Sequence, residues 1–146
     1  MNTQGAKLLL YVEDNLDHAD LVLHSLSRQN PATRVVHVED GEAALDYLRR
    51  SEAGADPRPW LILLDLKLPR MDGFEVLRAV KASPELLDIP VVVLTTSSSD
   101  ADIERAYQSH VNSYLVKPVD FPAMDQLIRA LEHYWLANNT LPAVGH

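Results

Sequence analysis

Two adjacent acids, Glu13-Asp14, a lone carboxylate at Asp65, the hydroxyls of Thr95 and Thr96, and the ammonium of Lys117 are the side chains here whose types could share one reaction. Each stands where an apolar run ends. Carboxylates gathered in one crevice repel one another unless a cation lies among them, and hard oxygen ligands with room for water suit Mg2+ or Mn2+. A metal, an ammonium and a hydroxyl around a further carboxylate are what a phosphoryl group on that carboxylate requires, since its equatorial oxygens need neutralising and hydrogen bonding. Asp65 would then be a nucleophile that forms an acyl phosphate. Singly, each residue has a plainer role. Asp65 could cap the helix beginning near Gly73, although eight residues is a long reach. Glu13 could face solvent or cap a helix, Lys117 could be a solvated lysine, and Thr95 a hydroxyl at a strand end.

The elements that would bring these residues together are legible. Leu61 to Leu64 is apolar without alternation, as in a strand covered on both faces, and it stops on Asp65 before a turn through Pro69 and Asp72-Gly73. Lys7 to Val12 closes on Glu13-Asp14-Asn15. A helix follows, with Leu16, Ala19, Val22, Leu23 and Leu26 at helical spacing and Asn30-Pro31 as its stop. Arg34 to Val38 reads as a strand, and a helix through Ala44, Leu45 and Leu48 runs out near Arg50, before a loop rich in glycine and proline. After the central strand come a helix using Phe74, Leu77 and Val80, a strand from Ile89 to Leu94, and a helix begun by Asp100 that uses Ile103, Ala106 and Tyr107. Ser113 to Val116 is the fifth strand. The last helix has Asp120 as its cap, Pro122 in its first turn, and Met124, Leu127, Ile128, Leu131 and Trp135 on one stripe. The tail from Ala137 to His146 is too short and turn-rich for a further element.

Strict alternation of five strands with five helices predicts an α/β fold, a doubly wound five-stranded parallel sheet in the flavodoxin-like order 2-1-3-4-5. Strands one and three then lie side by side at the switch point, where Glu13, Asp14 and Asp65 meet.

Composition narrows the function. One domain spanning 1–146, with a core at about 7–136 and a tail over 137–146, fits the 146 residues. A net charge of -8 argues against a surface that tracks nucleic-acid phosphates. With no cysteine there are no disulfides or thiolate metal sites. The start of the chain lacks a signal peptide and no apolar run approaches the ~20 residues of a membrane span, so a cytoplasmic protein with no membrane partner is expected. His18, His24, His37, His110, His133 and His146 show no metal-ligand spacing, and most read as surface residues. Neither GxGxxG nor GxxxxGKS occurs, against a nucleotide-binding enzyme on the same sheet.

Glu13-Asp14, the LLDLKLPRMDG segment, PVVVLT ending on Thr95, and Tyr114 with Lys117-Pro118 together resemble the receiver domain of two-component response regulators, over about residues 7 to 136. Within it, PVVVLTTS, AYQSHVNSYLVKP and HYWLANNTLP are most similar to the stand-alone regulators paired with cyanobacterial and bacterial phytochromes. The resemblance implies that Asp65 accepts a phosphoryl group from a sensor histidine kinase, of phytochrome type by the narrower likeness, and that Asp14, Asp65 and the main-chain carbonyl of Lys67 bind Mg2+, with Mn2+ an alternative, while Glu13 holds it through water. It further implies that Thr95 moves toward the phosphoryl oxygen, Tyr114 rotates inward behind it, and Lys117 pairs with the phosphate, its bond to Pro118 being cis.

Lys67, second after the acceptor, faces the phosphate entrance, where a long cation could screen the acyl phosphate or help bind it. Ser97, at the matching position after Thr95, is small and leaves the entrance open. Only 29 residues follow Lys117, too few for a DNA-binding or enzymatic output domain, so the output is expected to be a protein contact. The surface from about Asp100 to Trp135 is the implied output face. Tyr134, Trp135 and Leu136 with Leu141-Pro142 exceed what a lone domain needs, which suggests an isologous homodimer through that face and the tail; the alternative is a tail folded on its own core. Three readings stand: a phosphorylation-switched signalling module that catalyses only its own phosphotransfer and hydrolysis, an aspartyl phosphatase lacking its second acid because that position is Lys67, and a receiver that binds partners without phosphorylation.

Overall fold

The computed structural model describes residues 7–29 and 32–142. Strands and helices alternate as β1 (Leu8–Val12), α1 (Leu16–Gln29), β2 (Arg34–Val38), α2 (Gly41–Glu52), β3 (Leu61–Leu64), α3 (Gly73–Ala82), β4 (Val91–Thr95), α4 (Asp100–Gln108), β5 (Ser113–Val116) and α5 (Phe121–Leu131). All strand pairs are parallel, in the order β2-β1-β3-β4-β5. The Asn30-Pro31 stop expected after α1 lies outside the described residues, as do Ala143 to His146.

Strand alternation decides which helix each side chain meets. Leu8, Leu10 and Val12 of β1 pack with Ile62 and Leu64 of β3 against α2 and α3, while Leu9 and Tyr11 pack with Leu61 and Leu63 against α1 and α5. Each fully buried leucine contributes about 1.5–3 kcal/mol, so the four consecutive buried residues of β3 fix its register from both faces. Continued past the strand ends, the same alternation sends Glu13, Asp65 and Lys117 toward α1 and α5. Thr95 and Tyr114 fall on the side of α4.

Helix starts are closed by side chains. Asp72 and Glu75 form a reciprocal capping box on α3. Asp72 is therefore the cap, and Asp65 is free of that role. Ser99 caps α4 and Asp120 caps α5, with Pro122 in the first turn.

Three expectations need correction. Leu16 and Tyr107 fit the apolar spacing of α1 and α4 but are 57% and 51% exposed, because each lies at the edge of its helical stripe. The last helix, expected to run as one amphipath through Trp135, ends as an α-helix at Leu131 and continues over Glu132–Asn138 as a π-helix. Its widened turn points main-chain carbonyls outward, and the Trp60 indole donates to the Trp135 carbonyl at 2.9 Å while Lys7 Nζ donates to that of Leu136. Finally, the Tyr134-Trp135-Leu136 group is not one surface patch. Leu136 is buried, Trp135 is half-buried against the α1/α5 core, and only Tyr134 is exposed. Leu141 and Pro142 line a groove with Pro59 and Trp60, so this part of the tail lies on its own domain.

Candidate functional site

The parallel register sets Val12 beside Leu64 and Leu64 beside Val93, and therefore sets the residues after them side by side. The Asp65 amide donates to the Val12 carbonyl at 3.1 Å, and the Lys117 amide to that of Thr95 at 2.7 Å. Four strand tips thus converge on one crevice. Glu13, Asp14 and Asp65 each offer a carboxylate oxygen within 4.8 Å of the others. Glu13 is fully buried and Asp65 is 5% exposed, whereas Asp14 faces solvent. Glu13 therefore neither faces solvent nor caps α1; Asn15 does that, its Oδ1 accepting from the His18 amide at 3.1 Å.

Lys117, only 7% exposed, holds the acids together. Its Nζ lies 2.7 Å from Glu13 Oε1 and 3.0 Å from Asp65 Oδ2. The other Asp65 oxygen accepts from the Lys67 amide at 3.1 Å, so both oxygens are oriented. Burial pushes the Glu13 carboxyl up to about 7; the Lys117 hydrogen bond opposes this and the Asp65 charge adds to it. The same burial, with Glu13 and Asp65 close by, holds the Tyr11 hydroxyl protonated. Three acids facing one ammonium leave an excess of negative charge that a cation would relieve.

On the α4 side, Thr95 is buried at the end of β4. The Tyr114 hydroxyl donates to the Ser97 carbonyl at 2.9 Å. Lys67 is 61% exposed over the entrance, yet its Nζ lies 3.2 Å from Asp102 of α4. Ser97 donates to the same Asp102 oxygen at 2.6 Å, which is the leading reason that this carboxyl sits below its usual range. The two positions flanking the entrance are thus tied through one carboxylate. Gly73 closes the floor: a Cβ there would meet the Asp65 carbonyl at 2.3 Å and the Leu66 Cα at 2.6 Å.

A family model, the response regulator receiver domain, matches residues 9–129. The chain belongs to that family. FilR2 of Methanothrix harundinacea, a probable methanogenesis regulatory protein, is 48% identical over 135 residues, covering 92% of this chain and 87% of FilR2. The crystal structure of the phosphorylated cyanobacterial phytochrome response regulator RcpA superposes with a TM-score of 0.89 at 42% identity, covering 94% of this receiver and 99% of that chain. The Mn2+-bound form of Rcp1, the response regulator of Synechocystis sp., gives 0.87 at 41% identity over the same shares.

The receiver departs from expectation at two points. No peptide bond among the described residues is cis, so Lys117-Pro118 is trans, the form favoured by about 0.5–1 kcal/mol for a bond to proline; Lys117 reaches both acids in that form. His18 is not a bystander on the surface: it is half-buried, with Nδ1 2.8 Å from Lys117 Nζ. The only signal in the sequence was its place in the first turn of the helix that follows Glu13-Asp14. Beside it a cleft of about 320 Å³ opens toward Lys117, lined also by Leu21, Thr96, Val119 and Phe121.

Proposed function

We propose that residues 1–146 form a single receiver domain, with its core at about 7–136, and that Asp65 takes a phosphoryl group from the phosphohistidine of a sensor kinase. The observation that carries this reading is the clamp on Asp65, one oxygen on the Lys67 amide and the other on Lys117, beside two further acids with ligand atoms within 4.8 Å. That oxygen set fits Mg2+, with Mn2+ an alternative, held by Asp14, Asp65 and the Lys67 carbonyl directly and by Glu13 through water. The ion, when bound, neutralises charge on the acids and on the transferring group.

In the transfer, an Asp65 oxygen forms a bond to phosphorus as the bond from phosphorus to the kinase imidazole breaks and the imidazole leaves. Lys117 turns an N–H from Asp65 to a phosphoryl oxygen, and the Thr95 hydroxyl donates to another. Tyr114 then moves inward, releasing the Ser97 carbonyl and changing the surface of α4, β5 and α5. The receiver acts on no other substrate; it catalyses only its own phosphorylation and dephosphorylation. Lys67, where an aspartyl phosphatase would carry its second acid, speaks for this.

Likeness to RcpA and Rcp1 supports a phytochrome-type kinase as the donor. The output is a contact with protein, through a homodimer on the face of α4, β5 and α5, rather than with nucleic acid or membrane. No helix among the described residues is long and apolar enough to cross a membrane, which fits a cytoplasmic location. Incubation with acetyl phosphate and Mg2+ followed by intact-mass measurement tests the acceptor. One phosphoryl adduct on the wild type and none on Asp65→Asn are expected; an equal adduct on Asp65→Asn, or none on the wild type, rejects the reading.

A further inference from the structure

The Lys117 ammonium has three N–H bonds and three acceptors: Glu13 Oε1 at 2.7 Å, Asp65 Oδ2 at 3.0 Å and His18 Nδ1 at 2.8 Å. Two of these belong to the acid cluster. The third comes from α1, 99 residues away in sequence. We infer that His18 is a positioning residue for phosphotransfer, acting through Lys117 as an uncharged anchor that keeps the ammonium aimed at the acceptor while Asp65 is being phosphorylated. The inference rests on the reading of Asp65 as the acceptor.

Geometry and charge both favour such an anchor. When Asp65 becomes esterified, Lys117 gives up that contact for a phosphoryl oxygen, and a long, flexible side chain fixed by Glu13 alone would swing about one point. A second fixed contact, from His18, sets its direction. A carboxylate could serve as the anchor, but it would add a fourth negative charge where an anionic phosphoryl donor must approach. A neutral imidazole supplies the acceptor without that charge. Burial and the Lys117 charge lower the His18 pKa, which keeps Nδ1 free to accept, although Asp14, Asp17 and Asp65 pull the other way.

The start of α1 holds both anchors in step. Asn15 donates its amide to Glu13 Oε2 at 3.1 Å and accepts the His18 amide on its Oδ1 at 3.1 Å. Any rotation of the first turn therefore moves Glu13 and His18 together relative to Lys117. Neither the spacing of the motif nor the metal ligands require a histidine here; the contact does.

Two measurements on the full chain test this. The first is the rate of phosphorylation by acetyl phosphate and Mg2+ in His18→Asn, whose Oδ1 occupies the place of Nδ1, and in His18→Leu, which keeps bulk and removes the acceptor. His18→Leu should be slower by about tenfold, below the ~100-fold cost of misplacing a reacting group by about 1 Å because Glu13 still holds Lys117, and His18→Asn within about twofold of wild type. A wild-type rate in His18→Leu, or equal slowing in both, overturns the inference. The second is the imidazole tautomer by nitrogen NMR, which does not depend on phosphotransfer. His18 should hold its proton on Nε2 in the wild type and lose that preference in Lys117→Ala. A tautomer ratio indifferent to Lys117→Ala overturns the contact even if the chain is phosphorylated normally, whereas a wild type that takes no phosphoryl group is a failure of the acceptor assignment instead.

Discussion

At the scale of the residue, Glu13 shows how far this crevice departs from water. Its carboxyl is pushed up to about 7 from 4.5 by burial, so in metal-free protein the native state keeps a proton that the unfolded chain has lost between those values. A state that binds more protons is favoured by acid, so this group's contribution to stability falls as pH rises from about 4.5 to about 7 and stays lost above it. The loss is on the order of 3 kcal/mol at most, since each unit is worth about 1.4 kcal/mol. Glu13→Gln removes the titrating group. Urea denaturation in EDTA should show the variant gaining on the wild type between pH 5 and pH 8, and Mg2+ should restore the wild type at the alkaline end. Parallel stability curves for the two proteins would contradict this.

Lys67 offers a second prediction at the same scale. Its ion pair with Asp102 is largely exposed and so is worth about 1 kcal/mol or less, which a phosphoryl dianion on Asp65 can easily outbid. If Lys67 screens the acyl phosphate from water, Lys67→Ala shortens its lifetime and Asp102→Asn, which releases Lys67, lengthens it, each by about threefold on that scale. The decay of phosphorylated protein after removal of acetyl phosphate measures both. Unchanged lifetimes in the two variants would leave Lys67 without a role.

Among the elements, the approach of α3 to the acceptor loop sets the tightest constraint. The atoms that a Cβ at Gly73 would strike are main chain, so they cannot swing aside. Gly73→Ala must displace α3 from Asp65 and should cost about 1–3 kcal/mol in urea denaturation while slowing phosphorylation. Wild-type values for both would mean that the loop yields more easily than its contacts allow.

The same scale shows what the sequence could and could not reveal. Unbroken apolar runs such as Leu61 to Leu64 disclose a sheet covered on both faces, and strand order then forces Glu13, Asp65 and Lys117 together. Asp72-Gly73 is visible as a turn before a helix, but its reciprocal cap with Glu75 shows only in the folded chain. His18 was hidden because its role depends on the rotation of α1, which the Asn15 cap fixes and no periodicity encodes. The π-helix was hidden for a related reason: it answers to the Trp60 indole and to Lys7, both far from it in sequence. Asp102 reads as an ordinary acid of a first helical turn until Lys67 and Ser97 are seen to share it.

For the whole molecule, the question is how a phosphoryl group at one edge of the sheet becomes a contact elsewhere. On the proposed reading, the movement of Thr95 and Tyr114, which lie on the α4 side, is what alters that surface. Exposed Tyr107, Val116 and Tyr134 make it the face to test. Removing the chain after Leu131 would be a poor test, since it also strips buried Glu132 and Leu136 from the core. Val116→Glu with Tyr134→Glu leaves the interior intact. Sedimentation should show the variant as a monomer at concentrations where the wild type associates, and unchanged association would move the dimer to another surface.

All of these effects presuppose that phosphorus is captured by one particular oxygen-bearing side chain. Borohydride reduction of the phosphorylated protein converts an aspartyl phosphate to homoserine, which peptide mass spectrometry then locates. Homoserine at position 65, and at no other aspartate, is the predicted result; homoserine at Asp14 or elsewhere, with position 65 unmodified, would contradict the assignment.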